Sequence, residues 1–211
     1  MKLTSKKLKS LILEVLEEGM NTASMIPDGV YVLVTKREDR IYTVAFADKD
    51  GEVIMPWTLE SDGSHVYGDV SFYTSSPDGK PCSGGSIISV TEVADGWGPL
   101  LYDVAMEVAS IMTNGLASDR HTVSDEASRV WDYYDKKRPD VKKTQLDNES
   151  GKLTPDKPED DCGQSSSREG SNKAEDWSKS SLSRMYNKAP TTLKQLRDSG
   201  KLILNQVTLN F

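Results

Sequence analysis

The chain has 211 residues, 33 acidic against 26 basic side chains, a net charge of −7 at pH 7, and two cysteines. That length supports one domain with a sizeable core. The acidic balance argues against non-specific nucleic-acid binding, which needs Lys and Arg in excess along one face. No apolar run reaches the roughly 18 residues of a membrane helix and no apolar leader opens the chain, so a soluble intracellular protein with no membrane partner is expected. Cys82 and Cys162 stand alone, without a CxxC pair and with only His65 and His121 for company, so neither a metal site nor a disulfide is expected.

Residues 1–20 read as an amphipathic helix, with Leu8, Leu11, Ile12, Val15 and Leu16 on one face and Thr4 or Ser5 as N-cap. Lys2, Lys6, Lys7 and Lys9 crowd its positive end, and Glu14, Glu17 and Glu18 its negative end. Such a helix needs a partner surface, either its own domain or another protein.

From Gly29 the pattern becomes short strands: Val30 to Thr35, Ile41 to Ala47 and Glu52 to Met55, an antiparallel meander with polar turns, then His65 to Thr74. Ser86 to Val93 is a further strand. It ends in Ala94-Asp-Gly-Trp-Gly-Pro99 and runs into a helix from Leu100 to Thr113. A second helix is expected from Ser124 to about Lys137; Ser124 with Ala127 is not a capping box, but Asp125 and Glu126 lie in the first turn and basic residues in the last, and Pro139 ends it. Residues 139–180 are polar and poor in apolar anchors, and read as an irregular insertion. Leu182 to Tyr186 and Thr191 to Ser199 read as short helices, the second capped by Thr191 or Thr192 and stopped by Gly200. Leu202 to Phe211 reads as a strand inserted within the sheet, since its apolar residues alternate onto both faces. The layout is therefore 1–20, a core of 21–138, the insertion 139–180, and 181–211 closing the core.

The chemistry-bearing segment is Gly96-Trp-Gly98. A strand, a glycine turn and a helix N-terminus together aim backbone N–H groups at an anion; a tight strand-to-helix connection with no ligand is the alternative reading. A dinucleotide fingerprint does not fit, because its third glycine would fall on Leu101.

Gly96-Trp-Gly-Pro-Leu-Leu-Tyr-Asp103, followed by Gly115-Leu116, Asp119-Arg120 and Val123-Ser124-x-x-Ala127-x-x-Val130-Trp131, resembles the GNAT superfamily of acyl-CoA N-acyltransferases, in particular GNAT-like proteins of tailed phages. The resemblance implies an α+β fold, with a mixed, mostly antiparallel central sheet and helices on both faces. It also implies coenzyme A or acetyl-CoA as cofactor, with Val93, Asp95, Gly96, Trp97, Gly98, Pro99, Leu100, Leu101, Ser124 and Trp131 as cofactor-binding positions. Two positions depart from the family pattern: Val93 stands where Gln or Arg is usual, and Trp131 where a tyrosine protonates the leaving thiolate. An indole cannot supply that proton, which leaves Tyr133 as the candidate acid.

The implied reaction is attack of an amine (a protein lysine, an N-terminus or a small amine) on the thioester. Val90 to Glu92 would form the strand edge beside the cofactor and Glu92 a base acting through water; a solvent-facing carboxylate without a role is the other reading of Glu92. Asp119-Arg120-His121 reads as a solvated turn. A second function stays open: an inactive phage structural or internal virion protein, docked to capsid or scaffold through residues 1–19, and so located in the virion rather than the host cytoplasm. A hydrolase built on Cys162 and His121 is disfavoured, because Glu159-Asp-Asp161 would raise the thiol pKa.

Overall fold

The two-residue turn Asp39-Arg40 folds Tyr31–Glu38 (β1) back on Ile41–Ala47 (β2), with Tyr31 opposite Ala47 and Lys36 opposite Tyr42. A computed structural model of the chain describes residues 21–55, 66–148, 153–163 and 174–211. The amphipathic segment 1–19 lies outside them. Gly68–Tyr73 (β3) extends the meander, and Ser86–Val93 (β4) pairs antiparallel with β3. After Gly98–Met112 (α1) come Leu116–Ala117 (β5), Asp125–Lys137 (α2), Val141–Gln145 (β6), Ala174–Lys179 (α3), Arg184–Lys188 (β7), Thr191–Asp198 (α4) and Leu202–Asn205 (β8).

These elements form one eight-stranded sheet in the order β6-β7-β5-β4-β3-β2-β1-β8. Two neighbouring pairs, β4 with β5 and β1 with β8, are parallel, and the rest are antiparallel. The expected α+β class, a mixed and mostly antiparallel sheet with helices, is the architecture found.

Strand alternation builds two cores. Val32, Val34, Val44, Phe46, Phe72, Ile88, Leu116 and Tyr186 face one side, under α1, α2 and α4. Ile87, Ala117 and Met185, each one step out of phase, face the other side with Cys82, Leu146 and Cys162. Ser124 caps α2, its Oγ accepting the Ala127 N–H at 3.2 Å.

Five expectations are corrected. Cys82 and Cys162 form a disulfide with Cα atoms 4.5 Å apart; their separation of 80 residues hides a proximity that only the sheet creates. The nominal insertion contributes β6, paired with β7 from Val141 opposite Lys188 to Gln145 opposite Arg184. Beyond it, the Asp147 carboxylate accepts N–H groups from Asn148, Leu153 and Thr154 and organises the segment that carries Cys162.

Leu182 to Tyr186 is not a helix: a 3₁₀ turn over Ser181–Ser183 leads into β7, since pairing with both β5 and β6 outweighs weak local helix propensity. Among the described residues strand β8 lies at the rim, paired only with β1, and Val207, Leu209 and Phe211 beyond it pack against the core. Finally, α4 is capped from a distance. The Glu107 carboxylate accepts the N–H groups of Thr192 at 2.8 Å and Leu193 at 2.7 Å, so the capping group comes from α1 rather than from Thr191 or Thr192.

Candidate functional site

Strand β4 pairs with β3 along its whole length but with β5 only at Ser86 and Ile87. The parallel neighbours then part, and from Ile88 onward the second edge of β4 has no strand beside it among the described residues. At the point of divergence the register against β3 jumps from Val90 opposite Ser71 to Ile88 opposite Phe72, so Ser89 is the extra residue of a β-bulge. A bulge takes a backbone unit out of the ladder and reverses the facing of the residues beyond it. Thr91 accordingly faces the helices, where it accepts the Tyr102 hydroxyl at 3.2 Å, and Glu92 faces away from them, opposite Asp69.

A groove of about 270 Å³ occupies the fork, between residues 87–89 of β4 and residues 119–121 of the loop after β5, with Tyr73 and Pro77 at one end. The Asp119 carboxylate fixes that loop by accepting the N–H groups of His121 at 2.5 Å and Thr122 at 2.8 Å. His121 reaches across to the turn after β3, its Nε2 2.9 Å from Asp78 Oδ2.

The solvated-turn expectation fails at Arg120, which is only 3% exposed. Its guanidinium donates to the carbonyls of Ser118 (2.9 Å), Cys162 (3.1 Å) and Leu182 (2.9 Å), tying the β5 exit to the disulfide segment and the 3₁₀ turn. Burial pulls its pKa down to about 10, against the supporting charge of Asp119. Nothing local in the sequence marks this residue as interior.

Beyond the fork, β4 runs through the turn into α1. Gly96 takes φ +79°, a left-handed value suited to glycine, and its carbonyl accepts the Asn21 N–H at 3.0 Å. Gly98 is the first helical residue and Pro99 the second. The Trp97 N–H bonds back to Ala94 at 3.1 Å, while the amides of Asp95, Gly96, Gly98 and Leu100 have no acceptor among the described residues. A Cβ built on Gly98 meets nothing within 4 Å, so the space before the helix is open.

Several cofactor-binding expectations resolve into core packing. Trp97 is 7% exposed and packs edge-on against Phe46, with ring centroids 5.3 Å apart. Leu100 and Leu101 are buried, and Val93 packs against the same core. Trp131 is 1% exposed, 5.5 Å from the Tyr102 ring and 5.1 Å from Tyr186, and has no surface to offer a ligand. Among the expected residues, Asp95, Ser124 and Glu92 are exposed, and Gly96, Gly98 and Pro99 partly so.

Tyr133 does not meet Glu92 in any described cavity. It lines a separate cavity of about 290 Å³ beside the first turn of α1, with Pro99, Leu100, Asp103 and Arg138. Its neighbour Tyr134 is interior, the hydroxyl donating to Asp103 Oδ1 at 2.6 Å and to the Pro99 carbonyl at 3.1 Å.

Cys162, being in the disulfide, supplies no thiol nucleophile. Among the described residues no helix is long and apolar enough to cross a membrane. Comparison with family models, with curated proteins and with solved structures finds no match to this chain.

Proposed function

We propose that the chain binds coenzyme A thioesters along the open edge of β4 and moves the acyl group to an amine. The observation that carries this reading is the fork: β4 loses β5 after Ile87, bulges at Ser89, and delivers the open turn at Gly96 and Gly98 to the start of a 15-residue helix. An extended arm containing amides, such as that of coenzyme A, can hydrogen-bond to an unpaired strand edge as an added strand does. Its diphosphate then falls at the amides of Gly96, Gly98 and Leu100, which have no acceptor among the described residues and where the helix dipole favours negative charge. The backbone released by the bulge supplies an N–H to polarise the thioester carbonyl.

Binding is tested by thermal denaturation with millimolar coenzyme A. Ligand at about 100 times its dissociation constant adds roughly 2.7 kcal/mol, and Gly98→Val, which fits the open space at that position, removes the gain. An unchanged melting temperature in the wild type overturns the proposal.

One observation favours a second reading, an inactive scaffold of the same fold acting as a structural phage protein: Trp131, at the position of the acid, is sealed in the core. Coenzyme A binding with no thiol release for any amine offered would support that reading.

A further inference from the structure

We propose that Asp147, Asp160 and Asp161 hold a calcium ion beside the Cys82–Cys162 disulfide, as a structural site that takes no part in acyl transfer. One carboxylate oxygen from each of the three lies within 4.8 Å of the other two. The backbone brings them together: Asp147 and Asp161 form a parallel bridge, in which the Cys162 N–H donates to the Asp147 carbonyl and the Asp147 N–H to the Asp160 carbonyl, each at 2.9 Å. Paired residues send their side chains to the same side, so the two carboxylates emerge together. Asp147 is buried, whereas Asp160 and Asp161 are partly exposed and leave an ion a way in from solvent.

Two observations beyond proximity point to a cation. The Asp161 Oδ1 oxygen is itself buried and accepts no hydrogen bond, the one carboxylate oxygen in that condition among the described residues. An ionised oxygen cut off from both water and donors lacks the compensation that coordination to a metal supplies. In addition, no Lys, Arg or His among the described residues forms an ion pair with any of the three. The neighbouring Thr154 hydroxyl lies 3.2 Å from Asp147 Oδ2 and 2.9 Å from Asp160 Oδ1, and its single proton cannot serve both.

Carboxylate oxygens select a hard cation. Calcium, with oxygens at about 2.3–2.6 Å, bridges donors up to roughly 5 Å apart, whereas magnesium, at about 2.0–2.1 Å, bridges only roughly 4 Å. The bound ion joins Asp147 to residues 160–161, where the Cys82 N–H also meets the Asp161 carbonyl at 3.1 Å. It therefore reinforces the same join as the disulfide.

The test uses the intact, disulfide-bonded chain after removal of metal by chelation, and needs no coenzyme A. Calcium at about 10 mM should raise the melting temperature by roughly 5–10 °C, the shift expected for a dissociation constant of about 10⁻⁴ M, while potassium chloride of equal ionic strength should not. Terbium luminescence, sensitised through Trp177, whose Nε1 donates to the Leu146 carbonyl next to Asp147, should appear on binding and be quenched by calcium. Asp160→Asn and Asp161→Asn should each weaken calcium binding at least about tenfold. Asp147 is left intact, because its carboxylate accepts the N–H groups of Leu153 and Thr154. Without calcium, Asp161→Asn should melt no lower than the wild type, since it removes one of three crowded like charges. A wild type indifferent to calcium, or calcium binding that both variants retain, overturns the site, and a larger shift with magnesium overturns the choice of ion.

Discussion

Lys188 Nζ and the Glu107 carboxylate form an ion pair whose side chains are 2% and 0% exposed, inside the core between α1 and the end of β7. The Lys188 ammonium also donates to the hydroxyls of Thr191 at 2.8 Å and Thr192 at 3.0 Å, while Glu107 caps α4. The pair therefore joins helix to sheet. Removing one partner leaves a charge in low dielectric with weaker compensation, Lys188 keeping Asp103 Oδ2 at 3.4 Å when Glu107 is lost: Lys188→Met or Glu107→Gln should cost roughly 3–5 kcal/mol in chemical denaturation. Changing both to apolar residues of similar volume should cost less than the sum of the two single changes, because each single change includes a buried partner left less well compensated.

Alkaline pH should unfold the protein through its interior tyrosines. Burial raises the pKa of Tyr102 and of Tyr186 and, helped by the Asp103 charge, lifts that of Tyr134 well above the usual value. A group held neutral in the folded state contributes stability that is complete below its unfolded pKa, near 10, and is lost as pH rises toward the folded value. Absorbance at about 295 nm should thus report the ionisation of these three in a cooperative step that coincides with loss of near-ultraviolet dichroism. Smooth independent titration of every tyrosine would contradict the burial of these three.

Reduction should destabilise the chain without dismantling the sheet. The Cys82–Cys162 bond closes a loop of 80 residues. Its loss, by reductant or as Cys82→Ala with Cys162→Ala, should cost roughly 2–5 kcal/mol, mainly by restoring freedom to the unfolded chain. Paired melting curves with and without reductant measure this. The effect on β1 to β3 should be small, since the tether touches only the β4, β5 and β7 side.

Gly115→Ala should be among the most damaging small changes. Gly115 has φ +133°, and an added Cβ would lie 2.6 Å from the Tyr186 carbonyl oxygen, on the backbone of β7. Either β5 separates from β7 or the turn after α1 rearranges. A loss above about 2 kcal/mol in chemical denaturation is expected, against less than about 1 kcal/mol for Gly98→Ala, where the added atom meets open space.

The local patterns in the sequence were sufficient for most elements: the β1–β2 hairpin, β4, the glycine turn, α1, the Ser124 cap of α2 and the stop of α4 at Gly200 each depend on contacts a few residues apart. They could not contain anything that depends on which strands become neighbours. The rim position of β8, the pairing of β6 with β7, the disulfide, Glu107 as the cap of α4 and Arg120 as an interior hub all arise from residues between 39 and 86 positions apart in sequence, or from opposite ends of the chain. The candidate site divides the same way. Gly96 and Gly98 were legible because backbone conformation is a local property, whereas the fork, the Ser89 bulge and the His121–Asp78 pair exist only because β4 keeps one neighbour and loses the other.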